Sequence, residues 1–379
     1  MRNLKRGLII GALATAASFM PACQDRSGKE ITTETTAREL ADIAFPIIAS
    51  SIGGLPATAD DKDALASDNP RVYAVIQARD RIGNKIYFSQ ATAAEIEGKR
   101  IAEIFPDGHP VNVGRTAEFP VFQWNESRYG PIEIEWSEVV AENGFYNNTV
   151  PSQSKIRYKE KPAGTGWSIK PSPGTHRYKL RVRYSGNEIN GRQEITAKNN
   201  SRIRGVHRVT VREGNDLPGW MTAYGRLPYI YGSTEEQTEG LVGADCADAI
   251  TWALRKTGRG DFPYTYSQGF RSMGKKVFSG YINATGELLD RNKKKARDVD
   301  IRRGDLLVYK APQQHVAVFY SDLRQDGDPI EVVHTYGEKG VVVESLYLSF
   351  GFLLRDMVNL TGVQNMRLDA IDVIRLGEK

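Results

Sequence analysis

Between about residues 119 and 211 the chain alternates apolar and polar positions with a period of two. Ile132, Ile134 and Trp136 interleave with Glu133, Glu135 and Ser137, and Tyr178, Leu180, Val182 and Tyr184 with Lys179, Arg181 and Arg183. Val209 and Val211 interleave with Arg208, Thr210 and Arg212. One apolar and one wetted face is what antiparallel strands in a sandwich require. Pro171-Ser172-Pro173-Gly174 and Ser185-Gly186-Asn187 supply turns between them. The outer Lys and Arg read as a solvated face. Asn215-Asp216-Leu217-Pro218-Gly219 marks a boundary, and beyond it the period lengthens. Cys246, Ala249, Ile250, Ala253 and Leu254 recur at helical spacing, with Asp245 placed to cap the first turn and Gly258 to stop the last. Strands are expected at 306–309, 315–320 and 330–336. Upstream, the pattern predicts a short amphipathic helix over 36–45 ended by Pro46, a strand over 72–76 and a helix over 93–104, with the rest of 24–60 reading as tether.

The amino terminus carries a separate signal. Arg2, Lys5 and Arg6 precede an uncharged, mostly apolar run over 7–20, which suits a signal-peptide core and falls short of the ~20 residues that span a bilayer. The run ends in Met20-Pro21-Ala22-Cys23, followed by Gln24. A small residue and then Cys at this place resembles a bacterial lipoprotein processing site, where the Cys becomes the lipidated first residue. The resemblance implies a signal peptide over 1–22, a lipid on Cys23 that holds the chain to the membrane, and, with Gln24 next, the periplasmic side of the outer membrane. Of the 379 residues, 40% are hydrophobic and 26% charged, enough to bury a core in two or three domains. The net charge of +5 falls to about +2 without the three leader cations, so charge gives no ground for a nucleic-acid partner.

There are two cysteines, Cys23 and Cys246. With Cys23 lipidated, Cys246 has no disulfide partner within the chain, and an unpaired thiol in an exported protein is either buried or used. At a helix start, backbone N–H groups and the dipole favour a thiolate. Asp245 and Asp248 oppose that shift, so a histidine partner is needed. Of five histidines, His315 and His334 fall in neighbouring strands downstream. A thiol nucleophile needs a base, and the base needs a third group to fix its tautomer. Cys246, His315 and His334 fill those roles, and the reading requires no metal and no cofactor.

These residues and their order resemble the NlpC-type family of papain-like cell-wall cysteine peptidases. The family shows a Tyr-x-aromatic-Gly segment, Asp-Cys at a helix start, a Gly-Asp-Leu strand, a His-Val-(Gly/Ala)-(Ile/Val) strand and a third polar residue on the next strand. Here Pro228-Tyr229-Ile230-Tyr231-Gly232 precedes Asp245-Cys246, Gly304-Asp305-Leu306 leads into His315-Val316-Ala317-Val318, and His334 follows. Asp372-Val373-Ile374-Arg375 resembles the closing strand. The resemblance implies Cys246 as nucleophile, His315 as base and His334 as orienting group, with Tyr229 and Asp245 contacting the substrate. The sequence departs from the pattern at Ala247-Asp248, where Ser-Gly is usual, at Ser233, where a second Gly is usual, and in an insertion near 290–300 whose basic residues read as a solvated loop. Asp305 reads as a turn residue. More weakly, residues 174–180 resemble late strands of immunoglobulin-like sandwiches.

The expected architecture is an α+β papain-like catalytic domain over 215–379, preceded by an all-β, immunoglobulin-like sandwich over 119–214, an amino-terminal region over 23–118 and the leader over 1–22. The expected function is hydrolysis of an amide bond in peptidoglycan stem peptides by an envelope-anchored cysteine peptidase or amidase, with the sandwich positioning the catalytic part or taking a protein partner. Two other readings stay open. One is acyl or amide transfer on a papain-like site, and the other is a non-enzymatic envelope lipoprotein that binds a partner.

Overall fold

The computed structural model describes residues 40–52, 57, 61–80, 82–89, 100–103, 117–142, 157–191, 196–198, 202–204, 206–283, 287–295, 300–309, 314–321, 331–335, 340–345 and 368–377. The expected signal peptide and Cys23 lie outside them. Two sheets share the first core. One runs Leu40–Ser51, Arg71–Asp80, Lys85–Ser89, Ala117–Gln123, Arg100–Glu103, with Ser168–Ile169 added beside Arg71–Asp80. The other runs Lys62–Leu65, His207–Arg212, Gly174–Tyr184, Ile132–Glu142, Arg157–Thr165, with Asn187–Asn190 beside Gly174–Tyr184. The period-two segments supply the inner face. Leu180 stands opposite Trp136 and Val182 opposite Ile134, and they meet Val72, Ala74, Ile76 and Ala78 of the first sheet in one apolar cluster. Arg71–Asp80 is apolar on both sides, since Tyr73 and Val75 pack with Ala49, Tyr87 and Val121 on the outer face. That is why it reads as an unbroken apolar run. Ser185 and Gly186, at φ 49° and 77°, make the two-residue turn that returns Tyr184 to Asn187.

Two upstream elements differ from expectation. Leu40–Ser51 is a strand, not a helix over 36–45. It lies at the end of its sheet, where a strand tolerates a proline such as Pro46. Arg100–Glu103 is a strand paired with Ala117–Gln123, within the stretch where the pattern predicts a helix over 93–104. Pairing also supplies what periodicity does not reveal: Lys85–Ser89 with Ala117–Gln123, and Lys62–Leu65 with His207–Arg212, are parallel.

A third large sheet is antiparallel throughout. Its order is Leu288–Asp290, Lys275–Ile282, Leu368–Arg375, Leu306–Tyr309, His315–Phe319, Glu331–Thr335, Val341–Ser345. The helix Cys246–Lys256 packs Ala249, Ile250, Ala253 and Leu254 against Leu306, Val308, Val316, Val318, Val333 and Ile374. Phe278, Leu307, Tyr309, Phe319 and Val373 form a separate cluster. The helix ends just before Gly258, at φ 93°. No helix among the described residues is long and apolar enough to cross a membrane.

The expected fold class is corrected by this architecture. Among the described residues strand far outweighs helix, with four α-helices and several sheets including a half-barrel, and the fold is not the expected α+β papain-like one. The physical reason lies in residues 214–263. Gly214, Pro218, Gly225, Pro228, Gly232, Gly240, Gly243, Gly258, Gly260 and Pro263 punctuate the stretch. They leave Leu217–Thr222 and Glu235–Glu239 as short turns of helix beside the longer Cys246–Lys256.

Residues 40–379 cluster as one unit, and the sandwich meets the second part backbone to backbone. Thr175 N–H donates to the Gly225 carbonyl at 2.9 Å and Thr175 Oγ1 to the Ala223 carbonyl at 2.7 Å. A Cβ on Gly174, at φ 121°, would stand 2.7 Å from the Gly225 oxygen, so only glycine permits this approach. The buried Arg177 donates to the Gly240 and Leu241 carbonyls, in the loop that leads into Cys246.

Candidate active site

Cys246 is the first residue of its helix and is buried. Asp245 caps the helix, its Oδ1 accepting from the Ala247 and Asp248 N–H groups at 2.9 Å each. Its Oδ2 accepts from Gly232 N–H at 3.2 Å, which ties the aromatic segment to the helix start. Tyr229 forms an isolated parallel bridge with Ala244, and Thr335 Oγ1 donates to the Ala244 carbonyl at 3.4 Å. The strand that carries His334 is thereby joined to the loop that presents the thiol. The thiol itself lies against the Val316 N–H, one residue from His315.

The histidines are in direct contact. His315 Nε2 and His334 Nδ1 are 3.0 Å apart, with the rings edge to face. His334 Nε2 lies 2.9 Å from Glu344 Oε1 on the adjoining strand. Both rings are buried. Burial holds the His315 imidazole well below its ordinary value, and the neighbouring His334 adds to that. Tyr309 faces His315 across the strand pair at 5.2 Å between rings. The sequence points to Cys246, His315 and His334 but not to Glu344. The signal for Glu344 is a carboxylate closing the apolar run Val341-Val342-Val343, two residues beyond Val342, the register partner of His334. Such diagonal neighbours touch in a sheet.

The resting state of the thiol differs from the thiolate that a helix start favours. Burial pushes Cys246 up to about 12, and Asp245 and then Asp248 push the same way. The Val316 and Cys246 N–H groups pull it down and do not prevail. Asp248, 5% exposed, is itself pushed up to about 7, by burial and then by the charge of Asp245. Ser233 Oγ donates to Asp248 and accepts from Asp245 N–H at 3.1 Å. The two departures from the family pattern, Ser233 and Asp248, are therefore bonded to each other. The Tyr264 hydroxyl also bonds Asp248, with its ring 63% exposed beside the thiol loop.

This arrangement predicts the effect of Asp245→Asn. Asparagine caps a helix as well as aspartate does, while the charge that raises the thiol is removed. Alkylation of Cys246 by iodoacetamide at pH 8 should run roughly 3- to 10-fold faster than in wild type. An unchanged rate–pH curve would show that Asp245 does not act on the thiol.

Asp305 has a structural place, as its sequence context suggests. It accepts from Arg302 N–H at 2.9 Å and from the Arg375 guanidinium at 2.9 and 2.7 Å, closing the turn before Leu306–Tyr309. A wide groove lined by Leu217, Thr257, Arg259, Met273, Arg303 and Leu376 lies at the far end of the Cys246 helix. Its Arg303 and Arg375 are paired with Asp216 and Asp305. Among the described residues no group of three or more His, Cys, Asp or Glu could hold a metal. In comparisons with known proteins the chain matches no family model, no curated protein and no solved structure.

Proposed function

We propose that the chain is an envelope-anchored cysteine hydrolase that cleaves an amide bond in peptidoglycan stem peptides, with Cys246 as nucleophile, His315 as base and His334 as the group that orients it. The observation that carries the reading is the contiguity of these parts: a helix-start thiol against the backbone beside His315, and His315 bonded to His334 at 3.0 Å. Sγ attacks the amide carbonyl while His315 takes the thiol proton, and the same proton then leaves with the amine. Water, deprotonated by His315, releases the acid and restores the thiol. Asp245 already engages the Ala247 and Asp248 N–H groups, so the Cys246 N–H is the helix-start donor for the oxyanion. Tyr231 and Tyr264 are exposed, and on this reading they and Tyr229 would line the approach. The choice of substrate rests on the likeness of the motif residues to the cell-wall peptidases, and the lipid on Cys23 would place the chain beside that polymer.

The test is digestion of purified peptidoglycan fragments by the chain without its leader, read by mass. Two new products whose masses sum to one fragment plus water are expected, and none with Cys246→Ala. Full digestion by Cys246→Ala overturns the reading. Products joined to an added amine would favour the transfer reading. No product, together with no labelling of Cys246 by a thiol probe, would favour the binding lipoprotein.

A further inference from the structure

We propose that Glu344 is a positioning residue that sets which nitrogen of His315 carries the proton, acting through His334. The inference rests on the reading of His315 as base. A carboxylate only accepts hydrogen bonds. Glu344 Oε1, 2.9 Å from His334 Nε2, therefore requires the proton of neutral His334 to sit on Nε2. His334 Nδ1 then bears a lone pair, and the 3.0 Å contact to His315 Nε2 requires the proton of His315 on Nε2. The lone pair of His315 is thereby fixed on Nδ1, the nitrogen that takes the thiol proton on this reading. Each link admits one orientation, so a charge on the outer strand decides whether His315 can take a proton at all.

The groups beside the two rings include Glu344 from the outer strand and Tyr309 from the inner strand. Of these, Glu344 is the one placed to accept from His334 Nε2. Glu344→Gln presents an amide that can donate to His334 Nε2 and so permits the reversed order along the chain. Glu344→Ala removes the constraint.

The experiment is long-range proton–nitrogen NMR on histidine-labelled chain without its leader, with His315→Gln and His334→Gln used for assignment. Wild type at pH 8 should show both rings with Nε2–H. Glu344→Gln and Glu344→Ala should shift His315 wholly or partly to Nδ1–H. Both variants should also slow stem-peptide cleavage by at least roughly 10-fold. Wild-type His315 as Nδ1–H overturns the proposal even if neither variant folds, as do unchanged tautomers in both variants. A chain with the expected tautomers that cleaves no stem peptide sinks the substrate reading and leaves the role of Glu344 standing.

Discussion

Cys246→Ala and His315→Ala should each lower kcat/KM on a stem peptide by ~10³-fold or more, and the double variant should lose less than about 10-fold beyond either. With the thiol pushed up to about 12 by burial and Asp245, an isolated thiol would be ionised about one part in 10⁵ at pH 7. His315, held low by burial and His334, is neutral under the same conditions. On the proposed reading the site pairs a neutral thiol with a neutral imidazole, and the thiolate would form only as the carbonyl is attacked. Neither residue is then of use without the other, which is the source of non-additivity. A preformed ion pair would behave differently, since the thiolate would retain part of its reactivity without the base. Single-turnover rates on a labelled peptide for all four proteins close the cycle. Losses that multiply would show that the two residues act independently.

Much of this site is legible in the sequence because its signals are local. The Cys246 helix follows from five apolar or small residues at helical spacing between a cap and a glycine. His315 and His334 are legible as neighbours because each opens or closes a short β-rich run. What the sequence hides depends on partners distant along the chain. Glu344 matters only because the register sets Val342 against His334. The thiol's high pKa comes from packing that a helix-start argument leaves out, and here desolvation outweighs the dipole. Leu40–Ser51 misleads because Ile43 and Ile48, inner-face residues of a strand, stand near a proline that also suits a helix end. The fold class departs from expectation for a similar reason. A convincing motif around one helix says nothing of the strands that 40–103 contribute, nor of their parallel pairing with segments far along the chain.

Glu138→Ala should destabilise the chain by about 2 kcal/mol, the cost of leaving the donors it serves without an acceptor. Glu138 takes an inward position in Ile132–Glu142, in phase with Ile134 and Trp136, and is 7% exposed. Its Oε1 accepts from His176 Nδ1 at 3.0 Å and from Arg226 Nε at 3.0 Å. His176 Nε2 lies 2.8 Å from the Ser172 carbonyl. The same carboxylate also pairs with the half-exposed Arg226, which enters from the far side of the Gly174–Gly225 junction. The latch therefore joins the sandwich to the part that carries Cys246. Burial alone would raise the Glu138 carboxyl, but His176 and Arg226 outweigh it and hold it below its ordinary value. A depressed folded-state value means a contribution that is full above the unfolded value and is lost as pH falls through the folded one. Urea midpoints taken from pH 7 down to pH 3 should fall in wild type below about pH 4.5. Glu138→Gln should start lower and decline less over the same window. Parallel curves for the two proteins would remove Glu138 as the source of acid sensitivity. Loss of stem-peptide cleavage in Glu138→Gln at pH 7, with the fold intact, would show that the latch also holds the thiol loop through Arg177.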